Sequence, residues 1–436
     1  VIHEDAIKVG GYTKAPDYCF RIGGTRKFFL EAKKPSVAIK SDDKPAYQLR
    51  RYAWSAKLPL SALCDFEELA VYDTRIRPNL SDKPSKARTF FCTYEDYAEK
   101  WDEIAAIFSR EAVLKGSFDK YADTAKKKRG TAEVDDAFLE EIERWRDLLA
   151  RNFALRNKPR LSVRDLNYAV QKTIDRIIFL RICEDRGTED PGRLQVLLNG
   201  NEVWKRLNEQ FRRADDRYNS GLFHFKSEKG RNDAPDRLTP ELSLDDKVLK
   251  DIIKHLYYPD SPYEFSVLPA DILGQVYEQF LGKTIRLTGG HQAKIEEKPE
   301  VRKAGGVYYT PTYIVDYIVA NTLGRLLDGD DPDRKKPIPV SQAARLKLCD
   351  PACGSGSFLI VAYQYLLDWH RDQYTLDPAT GEPDAGKIQR HAAGKNPKIY
   401  QAKGGGWKLT TPERKRILLN NIYGVDIDSQ AVEVTK

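Results

Sequence analysis

Through residues 1–90 the apolar positions fall in short runs divided by turn-forming residues, the pattern of strands with an occasional helix. Residues 18–22 and 27–31 read as strands, and Gly23-Gly24 between them suits a hairpin turn. Residues 45–56 read as a helix, 60–64 and 69–72 as two further strands, and 75–88 as a polar break. From 94 to 287 apolar residues recur mostly three and four apart, which is helical; 140–155, 163–181 and 270–281 are the clearest cases. Residues 227–242 are polar and loop-like. After Gly305 the periods alternate again. A helix is expected over 312–327, opened by Thr310-Pro311, then a strand at 345–349, a glycine turn and a helix over 358–369. Residues 377–406, rich in Pro, Gly and Lys, read as a loop; 414–421 read as a helix and 422–427 as a strand. The expected fold class is multidomain α/β, with domains at 1–90, 91–300 and 301–436.

Composition narrows the function classes. The 436 residues carry a net charge of +7, compatible with a nucleic-acid partner but equally with a solvated surface. No apolar run approaches the ~20 residues that span a bilayer, so no membrane partner is expected. No export signal is evident. The six cysteines include no Cys-x-x-Cys pair, which argues against zinc and a disulfide scaffold. Cys19, Cys64, Cys92 and Cys183 read as reduced packing residues of a cytoplasmic protein. The basic run Lys126–Arg129 reads as a solvated loop. The chain starts at Val1 and holds no methionine, so either both ends are expected to be cut or methionines have dropped out of the sequence, which would shorten some spacings by a residue.

Two constellations carry chemistry. The first is Pro16-Asp17, Glu31-Ala32-Lys33, and Gln48 with Tyr52. Asp17 precedes one strand; Glu31 and Lys33 lie two apart on the next and share a face. Gln48 and Tyr52 share a helical face and can reach the site or a DNA backbone. Two carboxylates supply hard oxygen ligands for Mg²⁺, so Asp17 and Glu31 are the expected metal ligands. Lys33 is placed to hydrogen-bond an attacking water or a developing oxyanion. This ordered set resembles the PD-(D/E)xK nuclease superfamily, and the Gln-x-x-x-Tyr pair resembles its RecB-type branch. A helix usually precedes the first strand in that superfamily, and Glu4 is a candidate remnant of it.

The second is Asp350-Pro351-Ala352-Cys353-Gly354-Ser355-Gly356-Ser357-Phe358, between a strand and a helix. Gly354 and Gly356 allow a tight turn and close approach to a ligand. The nonapeptide resembles motif I of amino-methyltransferases, which implies S-adenosylmethionine as cofactor, with Asp350 facing its ammonium and Pro351, Ala352, Gly354 and Gly356 lining it. Asp426, ending the next strand, is placed to accept hydrogen bonds from ribose hydroxyls. Gly306–Pro311 resembles motif X, with Thr310 toward the methionine end. Motif X before motif I is the order of the γ class, which methylates adenine N6. A dinucleotide fold would want a third glycine, absent here. The Asn/Asp-Pro-Pro-aromatic tetrapeptide that holds a flipped adenine in this class occurs nowhere in the sequence.

Leu281-Gly-Lys-Thr284 lacks the P-loop's first glycine, since Tyr277 stands in its place, and reads as a helix end rather than a phosphate site. With no motor between nuclease and methyltransferase, and with 170–186 and 270–284 resembling a helical connector, the chain resembles type IIG restriction–modification enzymes. The resemblance implies an endonuclease of a restriction system that cuts double-stranded DNA with Mg²⁺ and methylates adenine N6 with S-adenosylmethionine. It implies a PD-(D/E)xK fold, a helical connector and part of a Rossmann-like methyltransferase. The alternative is a DNA adenine methyltransferase whose nuclease fold is inactive and serves to bind DNA.

Overall fold

The computed structural model describes residues 2–3, 8–9, 12–13, 16–22, 25–124, 134–158, 161–218, 221–227, 234–268, 282–298, 310, 312–329, 337–402, 405–427, 432 and 435. Gly23-Gly24, the 126–129 run, Glu4, 270–281 and 306–309 lie outside them. The chain forms two compact units, Val1–Ile272 with Thr284–Glu296, and Leu273–Lys283 with Glu297–Lys436. Both mix α and β structure. No helix among the described residues is long and apolar enough to cross a membrane.

The first unit is built on a six-stranded sheet. Its strands are β1 (Ile2–His3), β2 (Tyr18–Ile22), β3 (Thr25–Ala32), β4 (Leu60–Cys64), β5 (Glu68–Asp73) and β6 (Arg88–Thr93), in sheet order 1-2-3-4-5-6. Neighbours are antiparallel except β3 and β4, which run parallel with Leu30 opposite Ala62 and Glu31 opposite Leu63. A parallel pair needs a crossover, and helix α1 (Asp43–Ser55) supplies it. Asp42 caps α1, accepting from Lys44 N at 3.0 Å.

Strand alternation divides the sheet between two cores. Phe29 packs with Leu49, Tyr52, Ala53 and Leu63 under α1. Phe28, its neighbour, packs on the opposite face with Leu60, Val71, Ile107 and Phe118, the last two from helices Tyr97–Phe108 and Ser117–Thr124. Two 23-residue helices, Val134–Arg156 and Val163–Asp185, pack on each other and dominate the rest of the unit. The second opens on a capping box, Ser162 with Asp165.

The second unit pairs strand Leu348–Asp350 in parallel with Ile422–Gly424, with helix Ser357–Thr375 following the first of them. Three expectations change. Residues 377–406 are not a plain loop: they hold helix Ala385–Ala392, capped by Asp384, and strand Ile399–Gln401, paired with Trp407–Leu409. The 312–327 helix is α over Thr312–Val319, π over Ala320–Gly324, and α again over Arg325–Asp328. Lys283 and Thr284 begin a strand, Lys283–Leu287, rather than end a helix.

Candidate functional site

The first constellation converges. Asp17 precedes Tyr18, whose register partner is Leu30, so it stands beside Glu31. Its Oδ2 accepts from Ala32 N at 2.8 Å. Glu31, on the α1 face, is 3% exposed. Glu31 Oε1 accepts from Lys33 Nζ at 2.6 Å and from Gln48 Nε2 at 2.8 Å; Lys33 Nζ also donates to Gln48 Oε1 at 3.2 Å. Glu31, Lys33 and Gln48 thus close a ring of three hydrogen bonds. Burial pushes the Glu31 carboxyl above its ordinary range; Lys33 pulls it back, and the charge of Asp17 pushes it further up. Tyr52 is placed differently from Gln48: its ring is buried in the core with Phe29 and Leu49 and supports the helix from beneath.

Glu31 Oε2 is buried without a hydrogen-bond partner. A buried carboxylate oxygen left unsatisfied is costly, and a cation beside it removes that cost. Among the described residues no group of three or more His, Cys, Asp or Glu gathers. The two carboxylates present suit Mg²⁺, which is commonly held by one or two carboxylates and its own waters.

Helix α1 is tied down by residues that sequence reasoning did not single out. Arg51 Nη1 lies 3.0 Å from Glu264 Oε2, and Ser55 Oγ accepts from Glu264 N at 2.9 Å. Burial raises the Glu264 carboxyl, Arg51 opposes that, and Asp185 raises it again. A charged pair so distant in sequence carries no local signal.

The second constellation also converges, in the second unit. Asp350 and Gly424 are register partners at the carboxyl ends of parallel strands. Asp350 Oδ1 accepts from Ala352 N at 3.0 Å, and Asp426 Oδ2 accepts from Gly354 N at 2.9 Å. Gly354 (φ 53°) and Gly356 (φ 81°) are left-handed. A Cβ on Gly354 would meet nothing within 4 Å, whereas one on Gly356 would strike Thr435 Cγ2 at 2.7 Å. Pro351 and Ala352 are exposed at the turn. Ser355 Oγ is buried without a partner. Open space beside Gly354, flanking carboxylates and an orphaned hydroxyl suit a polar ligand carrying hydroxyl and ammonium groups. Among the described residues no hydrogen bond joins Thr310 to this turn.

Residues 338–436 match the family described as MmeI, DNA-methyltransferase domain, and residues 269–377 match N-6 DNA Methylase. The chain is 36% identical over 435 residues to the type II restriction enzyme and methyltransferase RM.Eco57I of Escherichia coli, covering 99% of this chain and 40% of that protein. Over nearly its whole length the chain is thus similar to a type II restriction enzyme and methyltransferase. A putative type II relative of the same description, RM.MjaORFECS2P of Methanocaldococcus jannaschii, is 25% identical over 427 residues, covering 80% of this chain and 31% of the relative. The chain therefore spans well under half the length of these type II relatives. Among solved structures the type IIG restriction endonuclease BpuSI is similar at 16% identity and a TM-score of 0.22, over 83% of this chain and 33% of that one.

Proposed function

We propose that this chain carries the DNA-cutting site of a type IIG restriction–modification enzyme together with the cofactor half of its adenine-N6 methyltransferase. The nuclease, of PD-(D/E)xK type, would occupy residues 1–90, a helical connector 91–300, and the start of a Rossmann-like methyltransferase 301–436. The observation that carries the nuclease reading is the Glu31–Lys33–Gln48 ring beside Asp17, with Glu31 Oε2 buried and unpartnered.

Asp17 and Glu31 would hold Mg²⁺, which when bound polarises the phosphate and lowers the pKa of a bound water. The chain's own residues do the positioning. Glu31 and Gln48 fix the Lys33 ammonium, so its remaining hydrogen is aimed rather than free to rotate. That ammonium hydrogen-bonds the attacking water or the phosphoryl oxygen on which charge develops. Tyr52 holds α1, and hence Gln48, against the sheet. In the other unit Asp350, Pro351, Ala352, Gly354, Gly356 and Asp426 would line the S-adenosylmethionine site, with Thr310 toward the methionine end. A carboxylate has about four acceptor positions, so Asp426 can hold Gly354 N–H and still take ribose hydroxyls.

The test is Lys33→Ala in the intact enzyme with Mg²⁺ and double-stranded DNA. Cutting is expected to vanish while methylation persists. Normal cutting by the variant sinks the nuclease assignment. A wild-type enzyme that methylates but never cuts would favour an inactive, DNA-binding nuclease fold.

A further inference from the structure

The hairpin joining β4 to β5 turns through Phe66 and Glu67. Asp65 N donates to Glu68 O at 3.2 Å, and the buried Asp65 side chain accepts from Glu67 N at 3.0 Å and Glu68 N at 2.6 Å. Phe66 lies at φ 80°, a left-handed position that two-residue hairpins give to Gly, Asn or Asp. A bulky side chain there strains the backbone. The ring gains no packing in return, being 86% exposed. Turn chemistry and burial both speak against Phe at this position, and such a conflict is characteristic of functional sites.

The position of the turn says what the ring is for. Ala32 and Cys64 are register partners, and Lys33 N donates to Cys64 O at 2.8 Å. Phe66 therefore projects from the sheet end that carries Asp17, Glu31 and Lys33. The stretch from Lys33 to Lys44 holds four lysines against Asp42 and Asp43, and Lys40 N donates to Glu68 Oε2 at 3.1 Å, so this basic stretch lies against the hairpin. On its other flank Tyr97 Oη donates to Phe66 O at 3.4 Å, and Glu95 and Glu99 are nearby in sequence and exposed. Phosphates are drawn to the lysines of the 33–44 stretch and repelled by Glu67, exposed beside the ring, and by Glu95 and Glu99, which leaves the ring facing bases rather than backbone.

We propose that Phe66 is a DNA wedge, stacking on or between the bases that flank the phosphate engaged by Lys33 and the proposed Mg²⁺ site. The proposal rests on the nuclease reading above. Apolar side chains inserted at base steps unstack and kink the duplex, and a kink beside the cut would open the backbone to attack.

The experiment uses the intact enzyme with Ca²⁺ in place of Mg²⁺ and duplexes carrying 2-aminopurine at successive steps around the mapped cut. Wild type should raise the fluorescence at a step next to the cut, and Phe66→Ala should not. Phe66→Ala should cut about tenfold slower or worse, the scale of losing one aromatic–base stack, while Phe66→Trp retains both signals. Thermal stability of Phe66→Ala should be unchanged, because the ring is in solvent. Lys33→Ala separates the two ideas: it should lose cutting and keep the fluorescence rise. If Lys33→Ala still cuts, the nuclease reading fails. If Lys33→Ala is dead but Phe66→Ala cuts and fluoresces like wild type, the wedge alone fails. A change in oligomeric mass in Phe66→Ala with DNA signals intact would also overturn it, making the ring a contact between protein copies.

Discussion

Glu413→Gln should destabilise the unit that holds Asp350 and Asp426, and the size of the effect follows from the site. Glu413 is 2% exposed. Its carboxylate accepts from Tyr374 Oη at 2.7 Å, Lys398 Nζ at 2.8 Å and Arg416 Nη2 at 2.7 Å. Burial would raise its pKa, but the hydrogen bonds from Arg416, Lys398 and Tyr374 outweigh burial and bring it from 4.5 down to about 2. At about 1.4 kcal/mol per pKa unit this is roughly 3 kcal/mol favouring the folded, ionised state. The folded pKa lies below the unfolded one, so this stability is complete above about pH 5 and is lost as pH falls toward 2. Glutamine keeps the shape but brings an amide toward three donors. Glu413 lies in helix Thr411–Asn421, which runs directly into the strand leading to Asp426, so loosening it should also weaken cofactor binding. Hydrogen exchange of the Ser357–Thr375 amides, corrected for intrinsic rates, measures the local opening free energy. Wild type and variant should differ by about 2–4 kcal/mol at pH 7, and about 1 kcal/mol of that gap should close between pH 6 and pH 4. A gap under about 1 kcal/mol at pH 7, or one that stays constant with pH, refutes the reasoning.

Glu31→Gln should abolish cutting without lowering the melting temperature at pH 8. The Glu31 pKa is raised by burial, so its ionised form costs stability as pH rises through that value, and a neutral side chain escapes the cost. Asp426→Ala should weaken S-adenosylmethionine binding by about tenfold or more in calorimetry, the scale of losing acceptors for a ligand hydroxyl. Gly424→Ala places a Cβ 2.7 Å from Leu359 Cδ1 and 3.0 Å from Cys353 Sγ. It should cost about 1–3 kcal/mol in urea unfolding. Arg51→Ala leaves Glu264 buried without its cation; unfolding free energy should fall by about 3 kcal/mol or more, and cutting should slow because α1 is no longer fixed.

The first candidate site was legible in the sequence because its residues lie close together on neighbouring elements, and the second because its nonapeptide is contiguous and Asp426 follows the strand paired with it. Glu31 and Lys33 share a strand face, Gln48 is on the very next helix, and Asp17 stands just before the antiparallel neighbour strand. Strand β6 was missed: Arg88–Thr93 follows directly on a polar break, and helical spacing resumes at once after it. The helix Ala385–Ala392 was hidden by the Pro and Gly around it, although Asp384 is a recognisable cap. The π segment at 320–324 carries one local back-bond and one close long-range approach, neither of which a spacing pattern shows. Thr322 Oγ1 donates to Ile318 O at 2.7 Å, and a Cβ on Gly324 would lie 2.5 Å from Tyr365 Oη. Arg51 and Glu264 meet only in the folded chain, so no spacing rule could join them.

Strand β3 sends Phe29 and Glu31 toward α1, and Phe28 toward the other core. A slip of one residue in its pairing would turn every side chain over, burying Leu30 where Glu31 belongs and moving Lys33 away from Gln48. Misthreaded molecules would therefore be silent molecules, whatever their compactness or helix content. On the proposed nuclease reading, turnover becomes a census for this strand: the fraction of chains able to cut cannot exceed the fraction threaded correctly. Active-site titration of a preparation would then report refolding fidelity more strictly than circular dichroism, which cannot tell a strand from the same strand shifted by one.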